Sequence, residues 1–470
     1  MSVIAAYAVP HPPMIVPQVG RGSEEQVRAT IRSYEAVADE IAALKPETIV
    51  ISSPHAILYA DYFHISPGKK ASGSFARFGA PQVRFHETYD TGLTSAICDL
   101  ADDRDLPAGF LGERDRELDH GTMVPLFFIR QKYNDFKLVR IGLSGLPLTV
   151  HYEVGQLIRD AADRLGRRVV YIGSGDLSHK LQDYGPYGYA PEGPEYDAKI
   201  MDVLGRASFG ELFDFDEAFC DKAAECGHRS FVMMAGALDG MAVETRLYSH
   251  EDVTGVGYGI CSFAVKGPDP ERRFLDQYLK KTEAALTEQQ ALEDAYVKLA
   301  RRTLEIYFEN GRRPALDDLS DGQTPDFSLP SDMLAKKAGV FVSLHKHNRL
   351  RGCIGTILPT TPSVAEEIIQ NAVSAAAEDP RFDPVKADEL KWLEISVDVL
   401  GDPEPIASPA DLDVKRYGVI VSKEHRRGLL LPDLDGVDTV EDQIAIAKRK
   451  AGIPENSDVK LERFEVIRHH

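Results

Sequence analysis

The sequence lacks paired cysteines. Its five cysteines are scattered, odd in number and nowhere spaced as Cys-x-x-Cys; they are Cys98, Cys220, Cys226, Cys261 and Cys353. This distribution argues against a disulfide framework and against a structural zinc knuckle. It favours a reducing compartment, so we expect the protein in the cytoplasm.

Basic clusters, a secretion signal and long apolar runs are also missing. The formal net charge is -20, and without a clustered basic surface we expect no nucleic-acid partner. The N-terminus has no basic region, and its apolar stretch is interrupted at Pro10-His11-Pro12-Pro13, so it does not resemble a signal peptide. No apolar run approaches the length of a membrane helix, which predicts no membrane partner. An anionic substrate would therefore need a local positive centre, such as a metal ion.

The length predicts two domains. A chain of 470 residues exceeds the roughly 250 to 300 residues at which a single core stops growing. Its 43% hydrophobic and 27% charged residues are typical of a globular protein. Turn-forming residues at 267–271 mark the boundary, which gives a first domain at 1–266 and a second at 273–470.

The first half alternates strand-like and helix-like segments. Apolar or β-branched runs predict strands at 3–9, 48–53, 137–143 and 168–173, and helical spacing is found at 24–44 and 154–165. This order predicts an α/β fold with a mixed, largely parallel sheet flanked by helices.

The second half has a different pattern, typical of a smaller α+β domain. It begins with one long amphipathic segment at 288–308 and contains an Ala-rich helix at 363–377. Strands are predicted at 339–344 and 393–400, with a hairpin formed by 419–422 and 428–431.

Histidines stand at the ends of predicted strands. His11 follows the first strand and His55 the second, and in a parallel sheet both would emerge at the edge where open α/β sheets bind ligands. His179 ends the motif Gly173-Ser-Gly-Asp-Leu-Ser-His179 at the same edge, and His120 lies in a polar turn. A single such histidine is usually a surface or capping residue, but four at repeated strand exits predict a metal site. Imidazoles suit Fe, Zn, Cu and Ni, so the histidines alone do not choose the metal.

The segment 223–228 offers the third ligand, as Glu225, Cys226 or His228. We predict Glu225, because two histidines and one carboxylate leave open positions on Fe(II) for a chelating substrate and dioxygen. Cys226 would instead make a softer site that favours zinc or copper. The structural alternative for Glu225 is a carboxylate at a helix terminus that balances Arg229.

These motifs together resemble the LigB-like class III extradiol ring-cleavage dioxygenases. The resemblance covers about residues 1–265 and rests on Pro10-His-Pro-Pro13, Ser53-Pro-His55, Asp119-His-Gly121 and the Gly173–His179 motif. It implies that His11, His55 and Glu225 bind Fe(II), that His179 is an acid/base residue, and that His120 handles protons or contacts substrate. The implied substrate is a catechol or an ortho-aminophenol, cleaved with O2. Family members are commonly oligomeric, so a homo-oligomer is expected.

Tyrosines follow the His179 motif in a loop rich in Gly and Pro. Tyr184, Tyr187 and Tyr189 are candidate lid residues over the site, although an ordinary aromatic surface loop is at least as good an explanation.

The second half closely resembles the AMMECR family, through Leu350-Arg-Gly-Cys-Ile-Gly355, Glu378-Asp-Pro-Arg-Phe382 and Gly428-Leu-Leu-Leu-Pro432. In this half Arg351 is a candidate anion ligand, whereas Cys353 is better explained as a small buried residue than as a reactive thiol.

AMMECR and Memo-like families are associated with a radical-SAM protein, and Memo-like proteins share the LigB-like fold without established dioxygenase activity. This leaves an alternative function, a metal-binding or interaction protein that works with a radical-SAM partner. On the dioxygenase hypothesis, the second domain has an accessory role.

Overall fold

The computed structural model describes residues 2–112, 117–319, 329–346, 349–434 and 436–470. The chain forms two compact units, Met1–Leu279 and Lys280–His470, whose residues contact mainly other residues of the same unit. The division lies inside the helix Phe274–Leu292, later than the residues 267–271 where turn-formers mark the predicted boundary. The start of this helix belongs to the first unit because Tyr278 packs on Phe213, with ring centroids 4.6 Å apart.

The strands of the first unit are β1 (Val3–Val9), β2 (Thr48–Ser53), β3 (Phe63–His64), β4 (Lys70–Phe75), β5 (Ala80–Thr88), β6 (Ala108–Gly109), β7 (Lys137–Gly142), β8 (Val169–Ser174), β9 (Met241–Glu251) and β10 (Tyr258–Pro268). Its helices are α1 (Pro17–Gly20), α2 (Arg28–Leu44), α3 (Thr91–Asp103), α4 (His120–Arg130), α5 (Leu148–Leu165), α6 (Glu192–Arg206), α7 (Glu217–Ala223) and α8 (His228–Ala237). Helix α9 (Phe274–Leu292) contains the division between the units.

The central sheet has the order β7-β2-β8-β1-β10-β9. Strands β7, β2, β8 and β1 run parallel. At one edge, β10 pairs antiparallel with β1, and β9 pairs antiparallel with β10. Alternate residues of one strand enter opposite cores: Val50 packs with the α3, α5 and α8 side, and Ile49 and Ile51 with the α2 and α4 side. Both faces are covered, which explains the continuous apolar runs of the parallel strands. The predicted mixed, largely parallel sheet flanked by helices is confirmed.

In the second unit the helices are α10 (Ala295–Asn310), α11 (Leu316–Leu319), α12 (Ser331–Ala335), α13 (Val364–Ala377) and α14 (Val440–Lys450). Its strands are β11 (Val340–Lys346), β12 (Arg349–Gly355), β13 (Leu393–Leu400), β14 (Glu404–Ile406), β15 (Tyr417–Lys423), β16 (Arg426–Leu430) and β17 (Lys460–His469). They form an antiparallel sheet in the order β12-β11-β13-β17-β15-β16, with β14 paired to β17. The predicted α+β class is confirmed.

The long amphipathic segment predicted at 288–308 includes parts of two helices in the structure. Helix α9 ends at Leu292, and α10 begins at Ala295. Asp294 separates them because its carboxylate accepts the backbone N–H groups of Tyr296 and Val297, as an N-cap does.

No helix in the described part of the chain is both long and apolar enough to cross a membrane.

Candidate metal centre

The carboxyl ends of β1, β2 and β8 meet at one edge of the sheet. These strands are parallel neighbours, and His11 and His55 each follow the last residue of their strand by two positions. Their Nε2 atoms lie 3.0 Å apart. The structure therefore brings these two histidines to one point.

The tautomer of His11 is set by its neighbours. Ser174 Oγ donates to the carbonyl oxygen of Gly121 at 2.6 Å, so it accepts a hydrogen bond from His11 Nδ1 at 3.0 Å. With the proton on Nδ1, Nε2 of His11 carries the free lone pair. That lone pair faces His55 Nε2 and, at 3.6 Å, the sulfur of Cys226.

Cys226 completes the group. One donor atom each from His11, His55 and Cys226 lies within 4.8 Å of the others. The thiol reaches this point because the loop after β8 and the loop before α8 cross closely: a Cβ on Gly175 would lie 2.0 Å from Cα of Gly227. Only glycines allow the two loops to approach so closely. In this arrangement the Asp176 N–H donates to Cys226 Sγ at 3.3 Å.

Glu225, predicted as the third ligand, is not brought to this group. Ala224 adopts a left-handed conformation that ends α7, and the carboxylate of Glu225 accepts the backbone N–H of His228 at 2.5 Å. It thus serves the N-terminus of α8, where a negative charge is favourable. His228, the third candidate, is buried and contacts the carbonyl oxygen of Leu212 at 3.0 Å.

A second donor group shares the thiol. Asp176, His179 and Cys226 also place one donor atom each within 4.8 Å of one another. Asp176 is buried, which raises its pKa to about 6, and its carboxylate accepts the His11 backbone N–H at 2.7 Å. His179 Nδ1 is buried without a hydrogen-bond partner among the described residues, and its ring meets Tyr187 edge-on at 5.0 Å. Of the three tyrosines proposed as a lid, Tyr187 therefore contacts a site residue.

His120 lies over His55, with ring centroids 3.9 Å apart. It is the first residue of α4, and the preceding Asp119 caps that helix by accepting the N–H of Thr122. Asp119 also accepts hydrogen bonds from Ser53 Oγ at 2.6 Å and from the fully buried Arg140 at 3.3 Å. These bonds fix Asp119, which directly precedes His120, and Ser53, which lies two residues before His55.

The imidazoles are held neutral. Burial, followed by the neighbouring His55, lowers the pKa of His11 well below its usual value. Burial and the two other histidines lower the pKa of His120 to about 3. His55 is exposed on one side, yet partial desolvation lowers its pKa as well. Neutral rings keep the lone pairs that metal binding requires.

A cavity of about 810 Å³ opens beside His55 and His120. Its wall also includes Phe78, Arg84, His86 and Met123. The volume is within the range of small-molecule sites.

The donor set fits a transition metal ion, but it does not match the set predicted for Fe(II). In the predicted centre a carboxylate accompanies the two histidines, whereas the described residues place a thiol there. Two imidazoles and one sulfur suit softer ions such as copper and zinc.

Arg351 and Cys353, the two residues singled out in the second unit, form hydrogen bonds within that unit. Arg351 donates to the carboxylate of Glu389 at 2.9 and 3.1 Å, so the anion that it binds is a side chain of the same unit. Cys353 is half-buried, and its sulfur accepts the Ser343 hydroxyl at 3.2 Å.

Sequence reasoning missed Asp176 and Arg140. Asp176 belongs to the same Gly-Ser-Gly-Asp motif that drew attention to His179, so it could have been found there. Arg140 is a charge in the middle of the apolar run of β7, and a buried arginine of this kind needs an anionic partner.

Comparison with known proteins gives two family matches. Residues 5–261 match the family model for the catalytic LigB subunit of aromatic ring-opening dioxygenase, and residues 297–469 match AMMECR1. A protein of Clostridium acetobutylicum is 40% identical over 100% of this chain and 99% of its own length. A protein of Thermotoga maritima is 51% identical over 38% of this chain and 98% of its own length. A crystal structure of a Pyrococcus horikoshii protein, described as uncharacterised, is 35% identical over 37% of this chain and 88% of its own, with a TM-score of 0.33.

Proposed function

Since the chain belongs to the LigB family through residues 5–261 and carries an AMMECR1 domain at residues 297–469, we propose that its first domain binds a transition metal ion through His11, His55 and Cys226. The observation that carries this proposal is the convergence of two imidazole nitrogens and one thiol within 4.8 Å. Such a donor set favours copper or zinc over the Fe(II) of a site with two histidines and one carboxylate. Of the two functions considered from the sequence, this proposal agrees better with the Memo-like alternative, a metal-binding protein without established dioxygenase activity.

The protein's own residues prepare this site. Ser174 keeps the proton of His11 on Nδ1, so that Nε2 is available to the ion. Burial, followed by the nearby Asp176 and Glu225, raises the pKa of the Cys226 thiol well above its usual value. The Asp176 N–H that donates to the sulfur offsets this only in part, so the thiolate form depends on a cation bound beside it. A bound ion would supply Lewis-acid chemistry, and copper also redox chemistry, beside the cavity that His55 lines.

Metal content of variants tests the ligand set. Cys226→Ser is expected to weaken copper or zinc binding by at least about tenfold, because it removes the soft ligand. Glu225→Gln keeps an oxygen to accept the His228 N–H and should bind the metal as the wild type does. The measurement is metal stoichiometry and affinity after anaerobic purification, by elemental analysis and competition with a chelator. Loss of metal in Glu225→Gln with retention in Cys226→Ser would overturn the assignment.

A second candidate function is extradiol ring cleavage of a catechol or an ortho-aminophenol with Fe(II) and O2. The observation that favours it is the placement of His120 and His179 near the donor group, with a substrate-sized cavity beside His55 and His120. Fe(II)-loaded protein mixed in air with a panel of catechols and aminophenols should consume oxygen and form the yellow ring-opened product. No turnover with stoichiometric iron would count against this function and leave metal binding as the activity.

For the second domain we propose an accessory role, with a radical-SAM protein as the partner class and a homo-oligomer as the assembly. This proposal is supported by family association alone. Co-purification with a tagged radical-SAM protein of the same cell, and light scattering of the full chain, would test its two parts.

A further inference from the structure

Two of the motifs that link the second unit to the AMMECR family meet at β12, an edge strand of its sheet. The carboxylate of Asp379 accepts the backbone N–H of Cys353 at 2.9 Å, and the guanidinium of Arg381 donates to the Cys353 carbonyl oxygen at 3.0 Å. These two backbone groups therefore point away from β11, so Cys353 and Ser343 are a non-hydrogen-bonded cross-strand pair. Side chains lie close in such a pair, and the Ser343 hydroxyl donates to the Cys353 sulfur at 3.2 Å.

Gly352 allows this meeting, because a Cβ at its position would lie 2.1 Å from the carbonyl oxygen of Ala375 in α13. The close approach of β12 to the end of α13 brings Asp379 and Arg381, which follow that helix, to the edge of the strand. There they cover the outward-facing backbone groups, as edge strands commonly require. This role explains the backbone contacts, but it leaves the half-buried thiol of Cys353 unexplained.

Lys450, the last residue of α14, adds a cation from a distant part of the chain. Partial desolvation lowers the pKa of Lys450, the Cys353 thiol acts in the opposite direction, and the positive charge of Arg381 lowers it further. The ammonium group therefore lies near both the sulfur and the guanidinium. Arg381 is already bonded to the carboxylate of Asp379 at 2.7 Å, whereas Lys450 forms no hydrogen bond or ion pair within the described part of the chain. It is a cation beside the sulfur that can take up an anion.

The four other cysteines have different surroundings. Burial raises the pKa of Cys98, Cys220 and Cys261 to about 12, and it raises the pKa of Cys226 well above its usual value. These groups are therefore protonated thiols at neutral pH in the metal-free protein. Cys353 instead has a hydroxyl donor and an unpaired cation beside it, and reactive cysteines are typically found in such electropositive, partly exposed surroundings.

We propose that Cys353 is a modification site that forms a mixed disulfide with a small disulfide carrying carboxylates, and that Lys450 binds one of these carboxylates. The thiolate of Cys353 attacks one sulfur of the disulfide, so that a new S–S bond forms and the original S–S bond breaks. The other half leaves as a thiolate and takes up a proton from solvent, to which Cys353 has lost its own. The sulfur of Cys353 is thereby oxidised and the leaving sulfur is reduced. The site is independent of the metal centre in the first unit.

Exchange rates with three disulfides of different charge test the site. The probes are dithiodiglycolate, which is anionic, bis(hydroxyethyl) disulfide, which is neutral, and cystamine, which is cationic. Each is added to the reduced full chain, and mass spectrometry of its peptides follows the mass increase at every cysteine with time. The variants are Lys450→Gln, Ser343→Ala and, as a charge-matched control, Lys415→Gln, which is exposed.

In the wild type and in the control, Cys353 is expected to react with dithiodiglycolate faster than any other cysteine. Lys450→Gln should slow this reaction at least about fivefold more than the reaction with cystamine, the size of one close charge contact in water. Each reagent is compared with itself, so differences between their leaving groups cancel. Ser343→Ala should slow all three reagents by a similar factor, because it removes a donor to the thiolate.

Two results would overturn the proposal. If Cys353 reacts with dithiodiglycolate no faster than the other cysteines, it is not a modification site. If Lys450→Gln leaves the rates unchanged, or changes the rates with the anionic and the cationic disulfide by the same factor, Lys450 does not bind a carboxylate of the reagent.

Discussion

Glu225 and Cys226 are neighbours in the chain but serve different parts of the fold. The carboxylate of Glu225 turns to the first turn of α8, and burial raises its pKa to about 7. The sulfur of Cys226 turns to His11. At the residue scale, the direction of one side chain decides whether the donor set is hard or soft, and therefore which metal it favours.

His179 is the residue for which metal binding and catalysis can be separated. Phenylalanine in its place keeps the edge-on contact with Tyr187 but removes both ring nitrogens. We expect His179→Phe to retain the metal, and any turnover of a catechol by the Fe(II)-loaded protein to fall by about 100-fold or more, as for the loss of a general acid. Elemental analysis and oxygen uptake measure the two effects, with His425→Gln in the second unit as the control. Loss of the metal would place His179 among the ligands, and unchanged turnover would remove its acid/base role.

The segment between β8 and α6 carries Asp176 and His179 and is held by its neighbours. Its backbone pairs with Gly257, through Leu177 N–H to the Gly257 carbonyl oxygen at 2.9 Å and Gly257 N–H to the Ser178 carbonyl oxygen at 2.8 Å. Asp197 of α6 accepts the Ser178 N–H at 2.8 Å, and its other oxygen lies 2.6 Å from Nε2 of His250 in β9. At the element scale, α6, β9 and the residue just before β10 position this segment at the sheet edge.

Asp197→Asn should therefore loosen the segment. Asp197 is buried, and weakening its charge-assisted bonds is expected to cost about 1–3 kcal/mol. Asp202→Asn in the same helix is the control, because the ion pair of Asp202 with Arg206 is exposed and should contribute little to stability. Urea denaturation gives the free energy of unfolding of each variant, and chelator competition gives the metal affinity. Equal stabilities of the two variants would contradict this role of Asp197.

The whole molecule consists of two units, each with its own core. Their chemistry is also separate, because the candidate metal ligands lie in the first unit and the Arg351–Glu389 pair lies in the second. The single tryptophan of the chain, Trp392, belongs to the second unit and stands three residues after Glu389. Its fluorescence therefore reports the unfolding of that unit alone.

Acid should destabilise the second unit through Glu389. Burial would raise its pKa, but hydrogen bonds from Arg351, Lys386 N–H and Lys346 lower it to about 2. A carboxyl group whose pKa is lowered by folding stabilises the protein above its unfolded pKa, near 4.5, and this stability is lost as the pH falls toward 2. Glu389→Gln should lower the stability at neutral pH by on the order of 1–3 kcal/mol and flatten its decline between pH 5 and 2.

Tryptophan fluorescence during urea denaturation of the full chain at several pH values measures this effect. Glu465→Gln is the control, because its ion pair with Arg416 is exposed and is expected to add little. A decline with pH as steep in Glu389→Gln as in the wild type would show that other groups carry the acid sensitivity.

The fold was largely predictable from the sequence because its signals are local. Apolar runs set β1, β2, β7 and β8, and burial on both faces of a parallel sheet requires such runs. The break between α9 and α10 was not predicted, because its local signal is a single N-cap residue, Asp294.

By itself the sequence determined the α/β and α+β classes, the two family resemblances and the edge of the sheet where histidines emerge, since strand periodicity and topology fix which end of a strand faces a crevice. Only the tertiary structure decided which side chain joins His11 and His55. That choice depends on the close crossing of Gly175 and Gly227 and on the turn at Ala224, contacts between segments about fifty residues apart that no local pattern encodes.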